Sequence, residues 1–233
     1  MRLLVTRPEP DGERTAASLR ARGHEVLLAP LLRIEAVEFE LPGEPLSAVV
    51  MTSANAARAI ARHPRREALT ALAAFTVGRH TAEAARAAGF REVHSADGDK
   101  DDLAALLHAH YGERSAPLLY LAGEDRAGDL TAGGMRMLTA VVYRAVKVER
   151  FAPAVASALR QGALDGVLHF SRRSAQAYFD CAARAGILER ALAPLQFCLS
   201  RQIAQPLTAA GAAAIRIAPQ PDEAAMIDLV GPA

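Results

Sequence analysis

Leu32-Arg-Ile-Glu-Ala-Val-Glu-Phe39 decides how this chain is wound. It follows two short apolar runs, at residues 3–6 and 25–29, and precedes a third at 48–52. A strand that returns parallel to its neighbour needs a crossover, usually helical. Residues 31–47 contain Pro42, Gly43 and Pro45 and show no helical period, and they open on this stretch of interleaved polar and apolar residues, which reads as extended. Val141-Val-Tyr-Arg-Ala-Val-Lys-Val148 has the same character and the same length.

The two stretches correspond because the chain repeats itself. Ala48-Val-Val-Met-Thr-Ser53 returns as Gly166-Val-Leu-His-Phe-Ser171, and Phe75-Thr-Val-Gly78 leading to Gly89 returns as Phe197-Cys-Leu-Ser200 leading to Gly211. A weaker match lays Leu3-Leu-Val-Thr-Arg7 on Leu118-Leu-Tyr-Leu-Ala122. Candidate strands fall at residues 3–6, 25–29, 48–52, 75–77 and 93–95, and again at 118–121, 137–142, 167–170, 196–199 and 214–217. Ala-rich stretches of 3.6 period separate them, the pattern of an α/β chain built on parallel sheets. The extended stretches predict a two-stranded antiparallel ribbon, at residues 33–39 and 141–149, through which the chain leaves one lobe and later comes back. The first lobe is then discontinuous, 1–32 plus 150–233, and the second is 40–140. A plain tandem of two sheets is the alternative. Two similar lobes imply a cleft.

Composition narrows the function. Of 233 residues, 51% are hydrophobic, enough for ordinary cores, and no apolar run reaches the roughly 20 residues that span a bilayer. The chain opens on Leu3-Leu4-Val5 without a signal-peptide pattern, so a cytoplasmic protein with no membrane partner is expected. A net charge of +1 argues against nucleic acid. Cys181 and Cys198 have neither metal-ligand nor CxxC spacing, and the His residues are scattered, so no metal site is expected. The cations are nearly all Arg, which fits either a coding bias or the recognition of carboxylates and phosphates.

Ligands of open parallel sheets bind beyond the carboxyl ends of the strands, where helix starts offer free amides to anions. The residues there are Arg7, Ser53, Asn55, Gly78, Thr81, Gly123, Ser171, Ser174, Ser200 and Arg201. Singly, the hydroxyls read as helix caps. Together they form a surface of amides and hydroxyls suited to a ligand with many carboxylates. Motifs for dinucleotides, phosphate loops and nucleophile elbows are missing. The run Asp97-Gly-Asp-Lys-Asp-Asp102 precedes a helical pattern and reads as a helix start whose acids complement the dipole. Tyr143 sits where a strand becomes ribbon and reads either as core packing or as a proton donor.

Taken in order, Leu4-Val-Thr-Arg-Pro8, Leu28-Ala-Pro-Leu31, Thr52-Ser-Ala-Asn55, Val77-Gly-Arg-His-Thr-Ala82, Ala88-Gly-Phe90, Leu121-Ala-Gly-Glu-Asp-Arg126, Val141-Val-Tyr-Arg144 and Phe170-Ser-Arg-Arg-Ser174 resemble the uroporphyrinogen-III synthase family nearly end to end. The resemblance implies two flavodoxin-like lobes joined by a two-stranded ribbon. It implies closure of the linear tetrapyrrole hydroxymethylbilane, with loss of water and inversion of the last ring, without metal or organic cofactor. On this basis Tyr143 matches the family's tyrosine and is expected to help the hydroxyl leave, while Ser53, Thr81 and Ser171 match positions that contact substrate, with Arg7 a further candidate. The chain departs from the family in two places. The helix after Asp125 is shorter than its repeat partner, and Ser200-Arg-Gln-Ile203 stands where many relatives carry Gly and Thr. A monomer with mobile lobes is expected. A non-enzymatic two-lobed binding or sensor module is the rival reading.

Overall fold

The structure, a computed structural model, describes residues 1–111, 116–125, 130 and 133–233. The chain divides into two compact units, Met1–Arg33 with Val146–Ala233, and Ile34–Ala145. The expected shortening of the helix after Asp125 falls on residues 126–129 and 131–132, outside the described residues.

In the first unit, β1 (Arg2–Val5), β2 (Glu25–Leu28), β9 (Gly166–His169), β10 (Leu195–Cys198) and β11 (Ile215–Ile217) form a five-stranded sheet in the order β11-β10-β9-β1-β2. Every neighbouring pair is parallel. The central strands are apolar on both faces because both faces are covered. Leu3, Val5, Leu168 and Phe197 pack with Leu19 of α1 (Asp11–Arg20) and with Met226 and Ile227 of α10 (Glu223–Val230). On the other face Leu4, Val167 and Cys198 meet α6 (Pro153–Arg160), α7 (Arg172–Arg184), α8 (Leu188–Leu192) and α9 (Arg201–Ala209).

In the second unit, β3 (Leu32–Ala36), β4 (Ala48–Met51), β5 (Ala73–Thr76), β6 (Val93–Ser95), β7 (Leu118–Gly123) and β8 (Met137–Lys147) follow the order β3-β8-β7-β4-β5-β6. The pairs from β8 to β6 are parallel. Val49, Met51, Leu119 and Leu121 pack under α2 (Ala54–Ile60) and α4 (Arg79–Ala88), with α3 (Arg66–Thr70) adding Leu69. Val50, Phe75 and Tyr120 pack on Leu103 and Leu107 of α5 (Lys100–His110). The acidic run opens α5 as a capping box, the Asp99 carboxylate taking the Asp102 amide while Asp102 takes that of Asp99.

β3 and β8 pair antiparallel, because partner numbers fall as residue numbers rise: Val37 N–H donates to Val142 O at 2.9 Å and Val148 N–H to Leu31 O at 3.0 Å. The chain passes between the units along these two strands. They differ from the expected ribbon in extent. β3 is five residues long, whereas β8 is a single strand of 11 that serves β7 along its first part and β3 further on. β5 also begins ahead of its expected start, at Ala73, pairing there with Ala48.

Candidate active site

Five strands of each sheet follow the same order, β2-β1-β9-β10-β11 in the first and β8-β7-β4-β5-β6 in the second, where β3 is added at the edge. In each, the order reverses at one point, between β1 and β9 and between β7 and β4. After β1 and β9 the helices α1 and α7 pack on opposite faces of the sheet, and such reversals are where open parallel sheets bind ligands, outside the carboxyl ends. The candidate residues divide between these two edges.

In the second unit β8, β7, β4 and β5 lie side by side and bring Tyr143, Gly123, Ser53, Asn55, Gly78 and Thr81 to one edge. Parallel pairing of β7 with β8 slips here: Ala122 pairs with Val141 but Gly123 with Tyr143, leaving Val142 as the extra residue. Val142 turns wholly into the core, and Tyr143 is carried, half-buried, onto Gly123. A Cβ at position 123 would lie 2.6 Å from Tyr143 Cζ, so only glycine lets the ring rest there. The Glu124 N–H donates to Tyr143 O at 2.9 Å and fixes the bulge.

Ser53 caps α2, its hydroxyl accepting from Asn55 N–H at 3.2 Å. Asn55 in turn accepts from Arg58 Nη1 at 2.9 Å, and Arg58 Nη2 lies 3.5 Å from His80 Nε2. Gly78 begins α4 with no side chain to cap it, so the first amides of that helix meet no capping oxygen from residue 78. Thr81, in the first turn of α4, is 5% exposed. This arrangement presents backbone donors, a guanidinium and a phenol from neighbouring strand ends.

The first unit brings together Arg7, Ser171, Ser174, Ser200 and Arg201, and most of their groups are already engaged. Arg7 Nη1 donates to Thr15 Oγ1 at 3.2 Å and pairs with Glu223 at 3.0 Å, Nη2 lies 3.8 Å from Asp11, and the guanidinium lies 4.8 Å from the centre of the Phe170 ring. Burial alone would raise the Glu223 carboxyl, but Thr15's hydroxyl, then Arg7 and Arg14, outweigh it and hold the group below its ordinary value. Ser171 caps α7 through Ser174 N–H at 3.1 Å, and Ser174, fully buried, spends its hydroxyl on Ser171 at 2.8 Å. Ser200 caps α9 at Ile203, while Arg201 is exposed.

Sequence reasoning missed the partners. Glu223 lies far along the chain from Arg7, and nothing in either local pattern links them; only the placement of α10 beside α1 does. Arg58 and His80 were legible only as ordinary helix residues. Among the described residues no group of three or more His, Cys, Asp or Glu is arranged to hold a metal, and no helix is long and apolar enough to cross a membrane.

Known proteins share this fold. The family model described as uroporphyrinogen-III synthase HemD matches residues 13–228. A crystal structure of uroporphyrinogen-III synthetase from Helicobacter pylori superposes with a TM-score of 0.66 at 19% identity, over 99% of this chain and 98% of that one. A mutant uroporphyrinogen III synthase from the extremely thermophilic bacterium Thermus thermophilus gives a TM-score of 0.53 at 18% identity, over 98% and 96% of the two chains. These two likenesses concern the fold. No curated protein matches.

Proposed function

The chain belongs to the uroporphyrinogen-III synthase family, and from that membership we propose how its residues share the work. The activity is that of a cyclising hydro-lyase of tetrapyrrole biosynthesis, which closes hydroxymethylbilane to uroporphyrinogen III with loss of water and inversion of the terminal ring. Departure of the hydroxyl leaves an electrophilic azafulvene. Attack by the substituted carbon of the terminal ring gives a spiro intermediate, which fragments and closes with that ring reversed. Unassisted closure gives the unflipped isomer, so the protein's main contribution is to hold one conformer.

Tyr143 is the group that hydrogen-bonds the departing hydroxyl and assists its loss as water. The observation that carries this assignment is its seat on Gly123: a bulge and a glycine are both spent on placing one phenol at the strand ends. Gly78, Thr81, Ser53 and Asn55 supply the amides and hydroxyls that take substrate carboxylates in the second unit. Ser171, Ser174, Ser200 and Arg201 take the corresponding role in the first, with Arg7 contributing once a carboxylate competes with Glu223. We place the chain as a monomer in the cytoplasm. Its exposed large hydrophobic residues, Met1 and Ile217, are scattered, and both thiols are unpaired and buried.

The test is the product isomer together with a point substitution. With fresh hydroxymethylbilane the protein should yield the type III isomer; type I alone at the spontaneous rate would overturn the activity. Tyr143→Phe should lower kcat by on the order of 10²-fold with an unchanged melting temperature. An undiminished rate would remove Tyr143 from the mechanism.

A further inference from the structure

A cavity lies within the first unit, and none of its lining residues is among the candidate site residues. It measures about 480 Å³ and is lined by Arg150, Arg160 and Arg184 around a floor of Phe151, Ala156 and Cys181. That volume is in the range of small-molecule sites. The three arginines come from different elements: the segment before α6, the last turn of α6 and the last turn of α7.

Cations in last helical turns complement the helix dipole, a sufficient reason for a positive charge at 160 and 184. It does not explain Arg150, which belongs to no helix, nor the lack of compensation. Among the described residues the Arg150 and Arg160 side chains form no hydrogen bond or ion pair, and the Arg184 side chain donates only to the backbone oxygen of Glu149 at 3.2 Å. The nearby Asp180 carboxylate is taken up by Gln176 at 2.8 Å and Lys147 at 3.5 Å. The floor is neutral: Phe151 packs edge-on against Tyr178, and the Cys181 thiol donates to Val148 O at 3.3 Å. Burial pushes that thiol up, so it is a packing group and not a nucleophile.

We propose that this cavity binds a phosphate monoester with a short apolar body, its phosphate held by Arg150, Arg160 and Arg184 and its body on Phe151 and Ala156. Three guanidinium forks carried by three separate elements suit a tetrahedral dianion with three terminal oxygens better than a planar carboxylate. The site is separate from ring closure and independent of the roles assigned to Tyr143 and the helix starts.

Phenyl phosphate, inorganic phosphate and benzoate are titrated calorimetrically into the full chain at low salt. Phenyl phosphate should bind more tightly than either of the others. Arg160→Gln combined with Arg184→Gln should weaken it by on the order of tenfold or more, with ring closure unchanged. Arg150→Gln, outside any helix, should weaken it without touching helix packing, and Ala156→Leu should weaken phenyl phosphate more than inorganic phosphate. No binding of phenyl phosphate up to millimolar concentration, affinity unaltered in the arginine variants, or inorganic phosphate or benzoate binding as well as phenyl phosphate would overturn the proposal.

Discussion

The two units share a strand order and part company in how they treat their polar groups. In the first, the strand-end arginine is neutralised by Glu223 and Asp11, and one serine is fully buried inside its neighbour's helix cap. In the second, a helix begins at a glycine that offers no cap, and a phenol lies on another glycine. Among the described residues the cores differ likewise: Thr6, Thr15, His24, His169, Ser174 and Gln196 are buried in the first unit, against Thr76 and Thr81 in the second. Duplicated topology thus carries two different chemistries. At its strand ends the first unit ties Arg7, Ser171 and Ser174 to its own groups, while in the second the start of α4 receives no side-chain cap from Gly78.

Acid puts this contrast under the greatest load. Gln196 donates both amide hydrogens to the backbone, to Ala191 O at 3.2 Å and Pro194 O at 2.8 Å, so its oxygen faces His169 and accepts from Nε2–H at 2.9 Å. Nδ1 is left buried and without a partner. Burial, opposed by the Gln196 bond, lowers the His169 pKa to about 4. The unfolded chain therefore binds a proton near pH 6.5 that the folded chain refuses until about pH 4, and stability is complete above the first value and lost as pH falls towards the second. The full loss is about 3 kcal/mol, with about 2 kcal/mol gone by pH 5. Hydrogen exchange at pH 7 and pH 5 should show the first unit losing protection before the second. Equal loss in both units, or none in this window, would refute the contrast.

Next in size is Gly123→Ala. The added Cβ must displace the Tyr143 ring, and a misplacement near 1 Å costs on the order of 10²-fold in kcat. Activity should fall about as far as in Tyr143→Phe, and the double variant should be little worse than either single one. Additive losses would mean that Gly123 matters for some other reason.

Much of this was legible before the structure. The parallel α/β class followed from apolar runs between Ala-rich stretches, and the strands lie within a few residues of their expected places. The helix-start residues were legible because Ser, Thr, Asn and Gly after a strand have few other uses. The seat of Tyr143 was not, because a bulge depends on the register of two strands and leaves no mark in either. Nor was the pairing of Arg7 with Glu223, which only the packing of α1 with α10 creates. His169 read as one scattered histidine until Gln196 was brought beneath it.

The smallest effects come from the repeated serines, and they divide along the same line. Ser171 accepts from Ser174 N–H and also meets the buried Ser174 hydroxyl, so Ser171→Ala removes a cap and strands a second group. It should cost about 1 to 2 kcal/mol of folding stability. Ser53 accepts only from Asn55 N–H, at a longer 3.2 Å, on the edge whose donors are proposed to face substrate. Ser53→Ala should cost less than about 1 kcal/mol in urea unfolding, yet raise KM. Ser171→Ala should raise KM as well, since Ser171 is assigned the corresponding role in the first unit, and a KM unchanged in either variant would remove that serine from the carboxylate-binding set.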